Sequence, residues 1–124
     1  DIELSEIKVD KEIQDASTLG RGYAIAGGVA EAVKNTAQIL DPSREINIES
    51  ASNLYDCVRL MRLAKAGKKD GMLLEGMACP GGCIAGPGTL ASMNRVRKAI
   101  IEFKNKAAYK TPLENTIIDD EMKH

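Results

Sequence analysis

The chain is 124 residues long, 44% hydrophobic and 28% charged, with 17 basic and 18 acidic side chains and a net charge of −1. That describes one globular domain with a modest core, with no basic excess for nucleic acid, no charge block or bilayer-length apolar run for a membrane, and, at 3% aromatics and no Trp, no platform for stacking bases. Three cysteines are an odd, sparse set that argues against a secreted disulfide scaffold and for a reducing cytoplasm, and a start at Asp1 rather than Met suggests a chain cut from something longer.

In chain order, Ile2, Leu4, Ile7 and Val9 alternate loosely, as a short strand or extended arm does. The polar segment from Asp10 to Thr18 carries no clear pattern. Gly20-Arg21-Gly22 opens Tyr23-Ala24-Ile25-Ala26, a short strand-like run that ends at Gly27-Gly28. A helix follows from Val29 to Leu40, with Val29, Ala32, Val33, Thr36, Ala37 and Leu40 at helical spacing, and Asp41-Pro42-Ser43 stops it. Ile46-Asn47-Ile48 reads as a brief strand. Ser50 or Ser52 is the expected cap of a second helix whose stripe is Leu54, Cys57, Val58, Met61 and Ala64, ending at Gly67. Gly71 to Leu74 is the next strand. After a glycine-rich turn, Leu90, Met93, Val96, Ile100 and Phe103 define the third helix, with Arg95, Arg97, Lys98, Glu102, Lys104 and Lys106 on its other face. Thr111-Pro112 breaks that pattern, and residues 110–124 are expected to form a loose tail.

Strands alternating with helices predict an α/β fold: a small, mostly parallel sheet flanked by helices, in one domain spanning 1–124. In such sheets ligands gather where strands run into helices. Gly27-Gly28 and Gly81-Gly82 both fall at such points, so they are expected to share one edge of the sheet.

The chemistry concentrates in Glu75-Gly-Met77-Ala78-Cys79-Pro-Gly-Gly-Cys83-Ile-Ala-Gly86-Pro87-Gly88, where two thiols stand four positions apart among five glycines and two prolines. Thiolates bind soft metals and iron–sulfur clusters, and glycines let main chain approach a bulky group. A tight turn lined by small residues, or a disulfide, is equally compatible with the spacing. Two thiols cannot complete the four-cysteine set of a 4Fe-4S cluster, and Cys57, on a helical apolar stripe, reads as a small buried hydrophobe. Zinc would need about four ligands, and the only histidine is the terminal His124. A thiol–disulfide catalyst prefers two residues between its cysteines, and here there are three. Gly20-x-Gly22 falls short of the dinucleotide fingerprint because position 25 is Ile25, which leaves a plain nucleotide-binding α/β domain as a weak third reading.

The stretch Glu75 to Gly86 closely resembles the third signature of the iron-only (FeFe) hydrogenase large subunit, Glu-x-Met-Ala-Cys-x-Gly-Gly-Cys followed by glycines. Tyr23-Ala-Ile-Ala-Gly-Gly-Val29 resembles a second stretch of that family, and the likeness runs from about Gly20 to Met93. The resemblance implies one lobe of a larger catalytic domain that interconverts protons, electrons and dihydrogen. It implies a 4Fe-4S cluster linked to a two-iron centre, with Cys79 a terminal ligand of the cubane and Cys83 the bridge. Met77 would face the two-iron centre, and Tyr23 and Ala24 would pack along the cluster. It further implies the rest of the catalytic domain and a ferredoxin-like electron carrier as partners.

Two departures bear on this. Gly86-Pro87-Gly88-Thr89 stands where the family has three glycines and a glutamine, and proline removes a backbone donor. The family's other two signatures, with the remaining cysteine ligands, a lysine and the proton-relay cysteine, are absent. The chain is therefore expected to fold, to expose apolar surface near the Cys79 loop, to hold no complete cluster, and to be inactive alone. A homodimer, formed by exchange of the Ile2–Val9 arm, is an expected consequence. The alternative is a non-catalytic iron–sulfur scaffold or H2-sensing module completed by a partner's thiolates.

Overall fold

The computed structural model describes residues 3, 6–8 and 16–115. Five elements carry the fold: α1 (Gly28–Leu40), β1 (Asn47–Ala51), α2 (Leu54–Lys65), β2 (Met72–Gly76) and α3 (Met93–Asn105). The strands pair in parallel, in register from Asn47 opposite Met72 to Ala51 opposite Gly76, with α2 as the crossover between them. The fold is α/β, and its sheet has two strands among the described residues.

Local chemistry sets the ends. α1 stops at Asp41, whose carboxylate accepts from the Ser43 hydroxyl at 2.6 Å and the Ser43 amide at 3.2 Å. The hydroxyl first, then the amide, hold that carboxyl below its ordinary range. β1 runs on through Ser50 to Ala51, so neither Ser50 nor Ser52 caps α2. Asn53 does, accepting from the Asp56 amide at 2.9 Å while its own amide group donates to the Asp56 carboxylate at 2.7 Å. α2 closes in a Schellman arrangement, Lys68 N–H to Leu63 C=O at 3.0 Å and Gly67 N–H to Ala64 C=O at 2.9 Å, with Gly67 left-handed at φ 70°.

The run Tyr23–Ala26 is not a strand. Two of its amides are spent on short-range turns, Tyr23 N–H to Gly20 C=O and Ile25 N–H to Gly22 C=O, and Ala26 N–H goes to Gly81 C=O, so no row of donors is left for a ladder. One isolated antiparallel bridge, Ile25 to Gly82, is all that remains of the pairing.

The helix stripes also sit differently from the sequence pattern. A two-stranded sheet is only about 5 Å from strand to strand and covers little of a helix. In α1 the buried side chains are Ala30 and Ala32, while Val29, Val33 and Leu40 are exposed. α2 is turned so that Leu60 is buried and Cys57 and Ala64 half-buried, leaving Leu54, Tyr55, Val58 and Met61 outward. α3 buries no side chain fully. Val96, Ile100 and Lys104 form its contact line, and Phe103 lies under the Arg21 guanidinium, 4.2 Å from the ring centroid. Among the described residues the buried hydrophobic set is Ala30, Ala32, Ala51, Leu60 and Ile84, mostly small residues.

The segment before α1 is stapled to the far end of α3. Thr18 N–H donates to Tyr109 C=O, Leu19 N–H to Lys110 C=O, and the Arg21 guanidinium to Phe103 C=O. Lys110 N–H in turn bonds the Glu114 carboxylate at 2.9 Å. Most of the expected Ile2–Val9 arm and residues 116–124 of the expected tail lie outside the described residues. No helix among the described residues is long and apolar enough to cross a membrane.

Candidate metal centre

β2 delivers the chain to the carboxyl end of the sheet at Gly76, and the Met77 amide there donates to Ala51 C=O at 2.8 Å, just past the last register pair. Two glycines then reverse the backbone, Gly81 at φ 86° and Gly82 at φ 94°, the left-handed region that side chains disfavour. The Cys79 carbonyl accepts from the Gly82 amide at 3.0 Å, closing the turn. Cys83 follows at the start of a short 3₁₀ turn, Cys83–Ala85, which buries Ile84 and leaves Cys83 exposed. Cys79 is half-buried. Both thiols are free, and so is that of Cys57.

The two glycine-rich turns meet, although only one of them ends a strand. Ala26 N–H donates to Gly81 C=O at 3.1 Å and Ile84 N–H to Ala24 C=O at 3.3 Å. The fit leaves no room for a side chain. A Cβ on Gly82 would lie 2.5 Å from the Ala26 nitrogen and 2.6 Å from the Ala24 oxygen. On Gly28 it would lie 2.1 Å from the Gly22 oxygen. The N-terminal end of α3 closes the other side, with the Met93 sulfur 2.6 Å from where a Gly81 Cβ would stand.

The sequence-predicted residues divide into two groups. Cys79, Cys83 and Met77 share the loop at the end of β2, and Ala24 touches that loop through its carbonyl. Tyr23 lines an apolar groove with Val33, Ala37, Leu40 and Pro112 on the outer side of α1. Two further residues belong to the loop's surroundings. The Cys57 sulfur sits beneath it, 3.7 Å from Ala51 C=O and 3.5 Å from Met77 C=O, and 3.3 Å from the position of a Gly76 Cβ. Glu75 accepts from the Ala30 amide at 3.2 Å, capping α1 from across the fold. The signal for Glu75 was a carboxylate in an otherwise apolar strand, a residue type strands avoid.

Chemically, the loop presents two thiols on glycine-rich backbone, with Gly86 so placed that a Cβ there would lie 3.5 Å from the Cys79 sulfur. A soft metal or a sulfide-bridged cluster suits this donor set. Among the described residues no group of three or more His, Cys, Asp or Glu side chains is placed to hold a metal ion, so the loop fits part of a cluster's ligand set.

The family model for the C-terminal domain of the iron-only hydrogenase large subunit matches residues 1–87, which is 87 of 124 residues. The chain belongs to this iron-only hydrogenase family. A comparison with curated proteins found no match. Membership places the chain in an oxidoreductase context and makes it part of a hydrogenase large-subunit domain. The match reaches further towards the amino end than Gly20 and stops at Pro87, short of Met93. α3, whose Met93 packs over Gly81, lies beyond the matched stretch.

Proposed function

We propose that this chain is a piece of an iron-only hydrogenase catalytic domain that supplies two cysteine ligands, Cys79 and Cys83, to the cluster at which dihydrogen is made or consumed. One observation carries the reading. Two free thiols stand on a glycine-built loop at the carboxyl end of the sheet, inside the stretch that matches the family. When bound, a 4Fe-4S cubane linked to a two-iron centre supplies electron exchange and the site of H2 chemistry.

Cys79, half-buried, takes the part of terminal ligand, and exposed Cys83 that of the bridge. Met77 contributes a soft apolar wall. Ala24 holds the loop by its backbone, and Tyr23, from the adjoining groove, borders the cluster space. The remaining ligands come from the rest of the catalytic domain, the principal partner. The exposed apolar side chains of α1 and α2 suit burial against that lobe. Exposed Arg95, Arg97 and Lys98, in the first turns of α3 beside the loop, suit an acidic, ferredoxin-like electron carrier. Free thiols suit a reducing cytoplasm.

The purified chain is expected to fold, to bind iron below cluster stoichiometry, and to show no H2 evolution with a strong reductant. A full cluster with turnover on the chain alone overturns the reading. With Leu54, Tyr55 and Met61 outward, the isolated chain is also expected to self-associate at micromolar to millimolar concentration. Light scattering that reports a monomer over that whole range counts against it.

A second reading, an iron–sulfur scaffold or H2-sensing module completed by a partner's thiolates, is favoured by the Gly86-Pro87-Gly88-Thr89 departure, where a family backbone donor is lost. An assembled complex that binds iron and H2 without turnover would select it.

A further inference from the structure

We propose that Glu75 is a positioning residue that sets the geometry of the cysteine loop by locking together its two supports. The loop hangs from two places. At one end it leaves β2 at Gly76. At the other it is bonded to the corner before α1, through Ala26 N–H to Gly81 C=O and Ile84 N–H to Ala24 C=O. Both of those bonds are backbone to backbone, and they fix the loop to the corner, not the corner to the sheet. Glu75 supplies the latter tie. Its side chain leaves the last turn-facing part of β2 and accepts the Ala30 amide at 3.2 Å, with its second oxygen 4.0 Å from the position of a Gly27 Cβ.

The carboxylate suits this task. The first amides of a helix have no partner within the helix, and a negative group there gains from the helix dipole as well as from the hydrogen bond. Gly27 at φ 90° turns the chain tightly enough to bring the Ala30 amide against the sheet. Between Glu75 and Gly81 lie five residues, with Cys79 among them, so a change in the separation of the two supports is taken up by that short span. The inference takes its functional importance from the reading of Cys79 as a ligand. Its geometry stands without that reading, and the experiment below needs no iron.

The test is the alkylation rate of Cys79 by iodoacetamide in the full chain, with exposed Cys83 as the internal reference and fragment-ion mass spectrometry separating the two. Glu75→Ala is expected to speed Cys79 relative to Cys83 by roughly five- to tenfold, the size of effect a lost cap has on local opening. Glu75→Gln, whose amide oxygen still accepts from Ala30, is expected to restore most of the wild-type ratio, short of the helix-dipole share that needs the charge. Asn53→Ala removes a cap of similar strength from α2 and is expected to leave the ratio unchanged. A ratio untouched by Glu75→Ala, or moved equally by Asn53→Ala, or left unrestored by Glu75→Gln, overturns the proposal. Should Glu75→Ala not fold, Glu75→Asp, one methylene too short to reach Ala30, takes its place under the same criteria.

Discussion

Gly82→Ala is expected to destabilise the chain by about 3–5 kcal/mol, a large share of the stability of a domain whose total is typically about 5–15 kcal/mol. Two costs combine at this position. At φ 94° and ψ −164° the backbone lies in a region essentially open to glycine alone and costs an L side chain roughly 1–3 kcal/mol. The added Cβ would also stand 2.5 Å from the Ala26 nitrogen and 2.6 Å from the Ala24 oxygen. Both are backbone atoms, held by the bonds that join the two glycine turns, so neither can swing aside as a side chain would. The change therefore prises the loop from the corner before α1. Gly88→Ala separates the two costs, because Gly88 shares a positive φ of 87° but a Cβ there meets nothing within 4 Å. It is expected to cost only the backbone share, about 1–2 kcal/mol. Urea denaturation followed by far-UV circular dichroism compares the two, and equal losses would mean that the contact between the turns contributes nothing.

That contact also shows what the sequence made legible. The parallel βαβ unit follows from Ile46–Ile48, the α2 stripe and Met72–Leu74, since short apolar runs flanking a helix have few other arrangements. The meeting of Gly27-Gly28 with Gly81-Gly82 was expected from a strand-to-helix character that only the second of them has. The route to it was not. Tyr23–Ala26 has strand-like residue types, but Gly20, Gly22 and Gly27 let the backbone close i to i+3 bonds instead, and residue type does not reveal which donor finds which carbonyl. The helix faces misled for a related reason. Periodicity identifies an apolar stripe without saying whether this chain or another surface covers it, and Leu54, Val58 and Met61 keep the spacing of a core face while standing in solvent. Glu75 and Cys57 escaped because each acts through a backbone group outside its own element, Ala30 N–H for the first and Ala51 and Met77 C=O for the second. The two loop thiols were visible from spacing, and they lie inside the stretch that matches the family.

Cys83→Ser is the substitution that should cut deepest into function while leaving the fold intact. Cys83 is exposed and starts a 3₁₀ turn whose closing bond, Gly86 N–H to Cys83 C=O at 3.2 Å, is made by backbone. Replacing sulfur by oxygen there is expected to move the stability of the isolated chain by no more than about 0.5 kcal/mol, as at other exposed positions. Its effect on the assembled hydrogenase is of another kind. A serine oxygen is harder than sulfur and poorer at binding iron in a sulfide cluster. Even residues that merely orient a metal's ligands are worth 10- to 100-fold, so under the ligand role proposed for Cys83 its replacement is expected to lower H2 turnover by about a hundredfold or more. Cys79→Ser should also lower iron content, with an added stability cost of about 1 kcal/mol because Cys79 is half-buried against Gly86. Cys57→Ser is the control, since its hydroxyl can keep a donor near Ala51 and Met77 while iron content stays at the wild-type level. Iron per protein, H2 evolution and the urea midpoint, measured on all three variants, separate these outcomes. Wild-type iron and turnover in Cys83→Ser would remove that thiol from the site, whereas equal iron loss in all three would trace the effect to folding rather than ligation.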